Sequence, residues 1–189
     1  MGITNYLVKK MRVDGVIRED EYRIYLYGME LLEIKLLAVL LAVGISILSQ
    51  TTLFLFVLLL FLVPIRKYAG GVHASSKGKC LLFTELILLA AELMWKYSLW
   101  PNIFQHLSVG LGIVAIITLA PVESKKRRLN QQKKRRFRSI SIMFGVFNVI
   151  CYFVAFVLGW KIIGSAISLA MLIMSSLLFL TLPERMKTS

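Results

Sequence analysis

The sequence predicts an all-α integral membrane protein: about six transmembrane helices, arranged as three helical hairpins, behind an N-terminal amphipathic interfacial helix. Three observations carry that expectation. Of 189 residues, 58% are hydrophobic and the mean hydropathy is +0.74, above the roughly 45–50% apolar share of soluble domains. The same chain holds 23 Lys and Arg against 10 Asp and Glu, a net charge of +13. The charges and the apolar residues alternate in blocks instead of mixing. A collagen-like, intrinsically disordered or disulfide-stapled chain is excluded by this composition, and Cys80 and Cys151 are too few for a disulfide framework.

The apolar blocks cover residues 31–65, 81–121 and 140–182, with breaks at Ser49-Gln50-Thr51-Thr52, at Trp100-Pro101-Asn102 and at Gly159-Trp160-Lys161. A bilayer span needs about 20 apolar residues. The second and third blocks each accommodate two spans and a tight turn. The first is shorter, so its two helices are expected to be short, with a re-entrant hairpin as the alternative.

Each hairpin returns the chain to the side it left. Both termini and the connectors therefore share one face, which holds every Lys and Arg except Lys96 and Lys161. The positive-inside rule makes that face cytoplasmic. A single membrane domain, 1–189, is thus expected to divide into an amphipathic segment (1–30), hairpin 1 (31–65), a cytoplasmic loop (66–80), hairpin 2 (81–121), a basic cytoplasmic loop (122–139), hairpin 3 (140–182) and a cytoplasmic tail (183–189). No cleaved signal is expected, because the first thirty residues mix acids and bases and lack an apolar run.

Within the first segment, Ile3, Leu7 and Met11 recur at helical spacing beside Lys9, Lys10 and Arg12, the pattern of a helix lying in the membrane interface. A second patterned stretch runs through Tyr22, Tyr25, Leu26 and Met29. Such a segment anchors a bundle or docks a partner's amphipathic helix.

The first connector carries the chemistry. It holds His73 and Cys80, one of two histidines and one of two cysteines in the chain. A Cys–His pair is the minimal apparatus for thiol nucleophilic catalysis, since imidazole takes the thiol proton and later supplies one to the leaving group. On a straight helix residues seven apart lie about 10 Å apart along the axis, so the pair meets only if the chain folds back, which Ser75, Ser76 and Gly78 permit. Cys80 directly precedes Leu81-Leu82-Phe83 and so stands at a helix N-terminus. Unpaired N–H groups and the helix dipole there favour a thiolate and an oxyanion; Lys77 and Lys79 add positive charge. Gly70 and Gly71 allow close approach to a peptide backbone. The competing reading makes Cys80 an inert small residue and His73 an interfacial side chain.

Arg66, Gly70-Gly71, His73 and Cys80 just before an apolar helix resemble the accessory gene regulator protein B (AgrB) family. The order of apolar blocks, the amphipathic start, and Ala120-Pro121-Val122-Glu123 before a basic stretch are also similar to that family. The resemblance spans essentially the whole chain; a Pro often found after the lysines of the family's second loop is missing. It implies a multi-pass protein of the bacterial cell membrane, working as a homodimer. It also implies a membrane endopeptidase for the precursor of a cyclic quorum-sensing peptide, with His73 and Cys80 as catalytic dyad and Arg66 and Gly71 needed for activity. The implied substrate is an amphipathic propeptide with an acidic C-terminal tail, cyclised to a thiolactone or lactone.

No Asn or Asp in the connector completes a triad. Glu85, five residues beyond Cys80, with Glu92 further along the same face, is a supporting candidate or pairs structurally with Lys77, Lys79 or the second loop. Glu123 is another candidate. The second loop has nine basic residues, from Lys125 to Arg138, and no acid after Glu123. Between membrane hairpins this suits anionic lipids and the steering of an acidic tail, and no nucleic-acid partner is expected. Two histidines and two cysteines, with His106 and Cys151 far from the dyad, leave a zinc site short of ligands. No phosphate-binding glycine loop appears, so neither metal nor cofactor is expected. A small transporter or channel with no catalytic role for the loop is the alternative function.

Overall fold

The computed structural model describes residues 3–70, 77–122 and 130–181. Among these, the chain forms seven helices and no strand: α1 (Ile3–Val13), α2 (Tyr22–Ser49), α3 (Thr52–Ala69), α4 (Lys77–Lys96), α5 (Asn102–Leu119), α6 (Gln131–Val157) and α7 (Lys161–Phe179). Five of them, α2, α3, α5, α6 and α7, are long and apolar enough to cross a bilayer. α4 has the length but carries Lys77, Lys79, Glu85, Glu92 and Lys96 in its 20 residues. The fold is that of an all-helical, multi-pass membrane protein: besides α1, it has five helices apolar enough to span and a sixth, α4, that is charged.

The tight turns fall where apolar character lapses. Gln50 takes a left-handed conformation (φ 60°, ψ 34°) and its N–H reaches the carbonyls of Ile47 and Ser46, closing α2 in the manner of a C-terminal cap. Pro101, extended at φ −68°, ψ 159°, precedes the first turn of α5. Gly159, at φ +71°, redirects α6 into α7.

At the connector ends, the helices outrun the apolar blocks. α2 starts at Tyr22, so Tyr22, Tyr25, Leu26 and Met29 extend the first long helix and form no separate amphipathic segment. Its 28 residues rise about 42 Å, more than the ~30 Å hydrocarbon core, so the helices of the first block are not both short. α3 continues past Pro64 to Ala69, and α6 begins at Gln131. Arg66 and Lys67, and the basic residues of 133–138, are therefore helical and not in loops. A reading of apolar runs stops where charge begins, but backbone hydrogen bonding carries a helix on into the headgroup region.

α1 lies against α2. Its buried positions are Thr4 and Val8, while Leu7 is exposed; the Thr4 hydroxyl donates to the Glu33 carboxylate. Thr4 and Val8 thus face α2, while Leu7 is left on the outside and Met11 is half-buried.

α7 is the central helix, packed on α3, α5 and α6. Its buried residues include Gly164, Ser165, Ala166, Ser168, Ala170 and Ser175; small side chains let helix backbones approach closely in a membrane. At Gly112 of α5 an added Cβ would stand 2.7 Å from the Met171 Cβ. At Gly145 of α6 it would meet Ile113 Cδ1 at 3.0 Å. Buried Asn148 donates to the Phe61 carbonyl at 3.4 Å. Phe61 stacks with Phe147, and Tyr68 packs against Phe137 and Phe144, joining α3 to α6.

α4 stands apart from this core and packs mainly on α2. Residues 97–101 connect it to α5, yet α5 packs on α7. The second pair is thus a hairpin by connection, and its arms have different neighbours.

Gly112→Ala is expected to destabilise the protein by about 1–3 kcal/mol through overpacking and to lower the Tm of the detergent-purified chain. Gly110→Ala, whose new methyl meets nothing within 4 Å, should leave it unchanged or slightly higher. Equal melting of the two variants would show that α5 does not depend on this contact.

Candidate functional site

The two connectors leave the bundle from adjoining points. The Val122 N–H, just beyond α5, donates to the Ala69 carbonyl at 2.9 Å, and the Gly70 N–H donates to the Arg66 carbonyl at 3.2 Å. Gly70 sits at φ 80°, ψ −149°, a conformation essentially confined to glycine. An added Cβ would lie 2.9 Å from the Val122 carbonyl oxygen. Dihedral and contact independently require glycine. The close approach expected of Gly70 is therefore made to Val122 of the same chain.

This clasp is held from two sides. Tyr68, directly before Ala69, is wedged against Phe137 and Phe144. On α6, Arg138 donates to the Ile117 carbonyl at 3.3 Å, answering one of the acceptors left open at the end of α5. Arg66 lies in the last turn of α3, half-buried, with its Nη1 sealed from solvent. Arg66 and Gly70 are thus brought together with Val122, the residue that precedes Glu123 in sequence.

The backbone of Cys80 falls in the first turn of α4, where orphan N–H groups gather. Its side chain, together with His73, Gly71 and Glu123, lies outside the described residues. Glu85 is half-buried, and both carboxyl oxygens are sealed from solvent with no hydrogen-bond partner among the described residues. Glu92, 1% exposed, accepts a hydrogen bond from the Thr51 hydroxyl at 2.8 Å. The two acids therefore face the protein interior, as ionisable groups in a membrane helix do. Thr51 was not singled out by the sequence. Its signal was there: a hydroxyl at a break between two apolar runs.

His106 and Cys151 stand elsewhere. The Tyr152 hydroxyl lies 2.8 Å from His106 Nδ1, and Cys151 packs against the core from α6.

A family model described as accessory gene regulator B matches residues 2–181 of the chain. No curated protein and no solved structure matches it.

Because Gly70 is constrained twice, Gly70→Ala should cost about 1–3 kcal/mol and lower the Tm in detergent. Val122→Gly keeps the backbone carbonyl that an added Cβ would meet and leaves the dihedral demand at Gly70 in place, so it should not rescue Gly70→Ala. An unchanged Tm for Gly70→Ala would mean that the clasp is not held.

Proposed function

The chain belongs to the accessory gene regulator B family, and from that membership we propose that it is a membrane cysteine endopeptidase that removes the C-terminal tail of a quorum-sensing propeptide. Membership itself implies a part in processing the peptide of an accessory gene regulator system. The observation that carries the finer reading is the placing of Cys80 on the first turn of α4, seven residues after the histidine of Gly70-Gly71-Val72-His73. In the topology we favour, α4 is the sixth crossing helix, and both termini and both connectors face the cytoplasm. The charge of α4 fits this, since Glu92 is turned inward to Thr51 and the lysines lie at the helix ends.

The chemistry follows from the residue types. Cys80 Sγ, its proton taken by His73, attacks the carbonyl carbon at the junction of signal and tail. N–H groups at the start of α4 stabilise the tetrahedral oxyanion. The C–N bond breaks, His73 returns the proton to the departing amine, and the signal remains on Cys80 as a thioester. If a cysteine of the propeptide then attacks, one thioester replaces another with little change in free energy, and a thiolactone leaves. A serine gives a lactone. Arg66 and Gly71 take the supporting roles the family implies, and Glu85 and Glu123 are the candidates to orient the base.

The exposed bases at 133–136, on the first turns of α6, draw in the acidic tail. Their field acts on encounter and is screened by salt. Changing Lys133, Lys134, Arg135 and Arg136 to Gln should slow tail cleavage markedly at low ionic strength and little at high. A salt-independent effect, or none, would remove the steering role.

Cys80→Ala, assayed with a tagged propeptide in membranes, should reduce tail cleavage by at least about 10³-fold while the protein remains inserted. Undiminished cleavage would sink the mechanism and leave the transporter reading.

A further inference from the structure

A cavity of about 360 Å³ opens at the end of the bundle opposite the connectors, within the size range of small-molecule sites. It lies where α4 and α6 end and α5 and α7 begin. All three tryptophans of the chain, Trp95, Trp100 and Trp160, line it. Such helix ends lie at headgroup depth, where tryptophan is enriched, but an interfacial belt alone does not require a cavity with an ordered polar floor.

That floor is Gln105, 8% exposed. Its amide nitrogen donates to the Trp100 carbonyl at 3.0 Å and to the Ser165 hydroxyl at 3.2 Å. A carbonyl only accepts, so the amide cannot be reversed. Its Oε1 is left without a hydrogen-bond partner among the described residues. Gly164 keeps the space beside that oxygen clear, since a Cβ there would stand 3.6 Å from it. Trp100 is pinned as well, its Nε1 donating to Ser168 Oγ at 2.9 Å. A nearly buried acceptor, held facing a cavity by its own donors, calls for a donor from outside. Indole rings around it favour a cationic donor. Exposed Lys161, at the start of α7 and also lining the cavity, favours an anion.

We propose that this cavity binds the headgroup of an aminophospholipid, with a primary ammonium on Gln105 Oε1 among the indoles and the phosphodiester against Lys161. A zwitterion of that length matches an inward acceptor and an outward cation, and the position among helix ends matches the depth of lipid headgroups. Methylation of the ammonium removes every N–H and should abolish the preference.

The three tryptophans make the site its own reporter, because intrinsic fluorescence arises from residues that all line the cavity. The full chain in detergent is titrated with short-chain phosphatidylethanolamine, phosphatidylcholine and phosphatidylglycerol. A saturable change in emission is expected with phosphatidylethanolamine, at a Kd about tenfold lower than for either other lipid. Gln105→Leu should erase that preference. Lys161→Gln, at an exposed position, should weaken binding of both zwitterionic lipids while keeping the preference for the primary amine. Equal titration by all three lipids in the unaltered protein overturns the proposal whatever the variants do. So does retention of the preference in a folded Gln105→Leu protein.

Discussion

The approach of α5 to α7 at Gly112 is the contact on which the rest of the molecule depends. With no side chain at Gly112, the Met171 Cβ and carbonyl close to within about a methyl group of the α5 backbone. This sets the spacing of two helices and, with it, what lies at both ends of α5. At one end Val122 meets Ala69 and Gly70, fixing the point from which the first connector leaves. At the other, Gln105 reaches Ser165 of α7 and forms the floor of the tryptophan-lined cavity. One packing contact therefore governs the first connector on one face and a polar cavity on the other. In hydrocarbon this must be done by shape, since lipid tails leave little hydrophobic force to press helices together.

The second constraint is the satisfaction of polar groups away from water. Unbonded polar groups in the hydrocarbon region are costly, and the chain handles them in pairs that also join helices. Thr51 and Glu92 link the α2–α3 turn to α4; Asn148 links α6 to α3; Trp100 and Ser168, and Gln105 and Ser165, link α5 and its preceding turn to α7. Intrahelical bonds such as Ser108 to the Phe104 carbonyl and Ser141 to the Phe137 carbonyl satisfy hydroxyls locally. Glu85 departs from this with both oxygens sealed from solvent and without a hydrogen bond among the described residues, whereas Glu92 leaves only its Oε1 so. That sets it apart from Glu92, which has a structural task.

Much of this was legible in the sequence, and the limits have physical causes. The turns at Gln50, Pro101 and Gly159 were readable because polar or helix-breaking residues in the middle of a long apolar block mark where the chain reaches water and reverses. Helix ends were not, because a helix does not end where its hydrophobicity does: Arg66 and the 133–138 bases remain in hydrogen-bonded turns. The charged character of α4 was visible in Glu85 and Glu92, but its choice of α2 over its chain neighbour α5 was not. Partner choice rests on three-dimensional fit between side chains, which leaves no periodic signal. At the site, glycine and histidine spacing pointed to the connector. That Gly70 serves the contact with Val122 required the dihedral and the distance.

The split between core and flank bears on the proposed mechanism. His73 follows α3, a core helix tied to α6 and α7, whereas Cys80 begins α4, which rests mainly on α2. In the proposed mechanism, base and nucleophile thus ride on different parts of the bundle, and their alignment would depend on how α4 is fixed to α3. The described side-chain ties between them, Thr51 to Glu92 and Phe54 to Trp95, fall in the last two turns of α4, at the end away from Cys80. A helix anchored at its far end transmits a small rotation there as a larger displacement at its near end. The register of the proposed dyad would therefore be sensitive to a hydroxyl and an aromatic pair about three to four turns from Cys80.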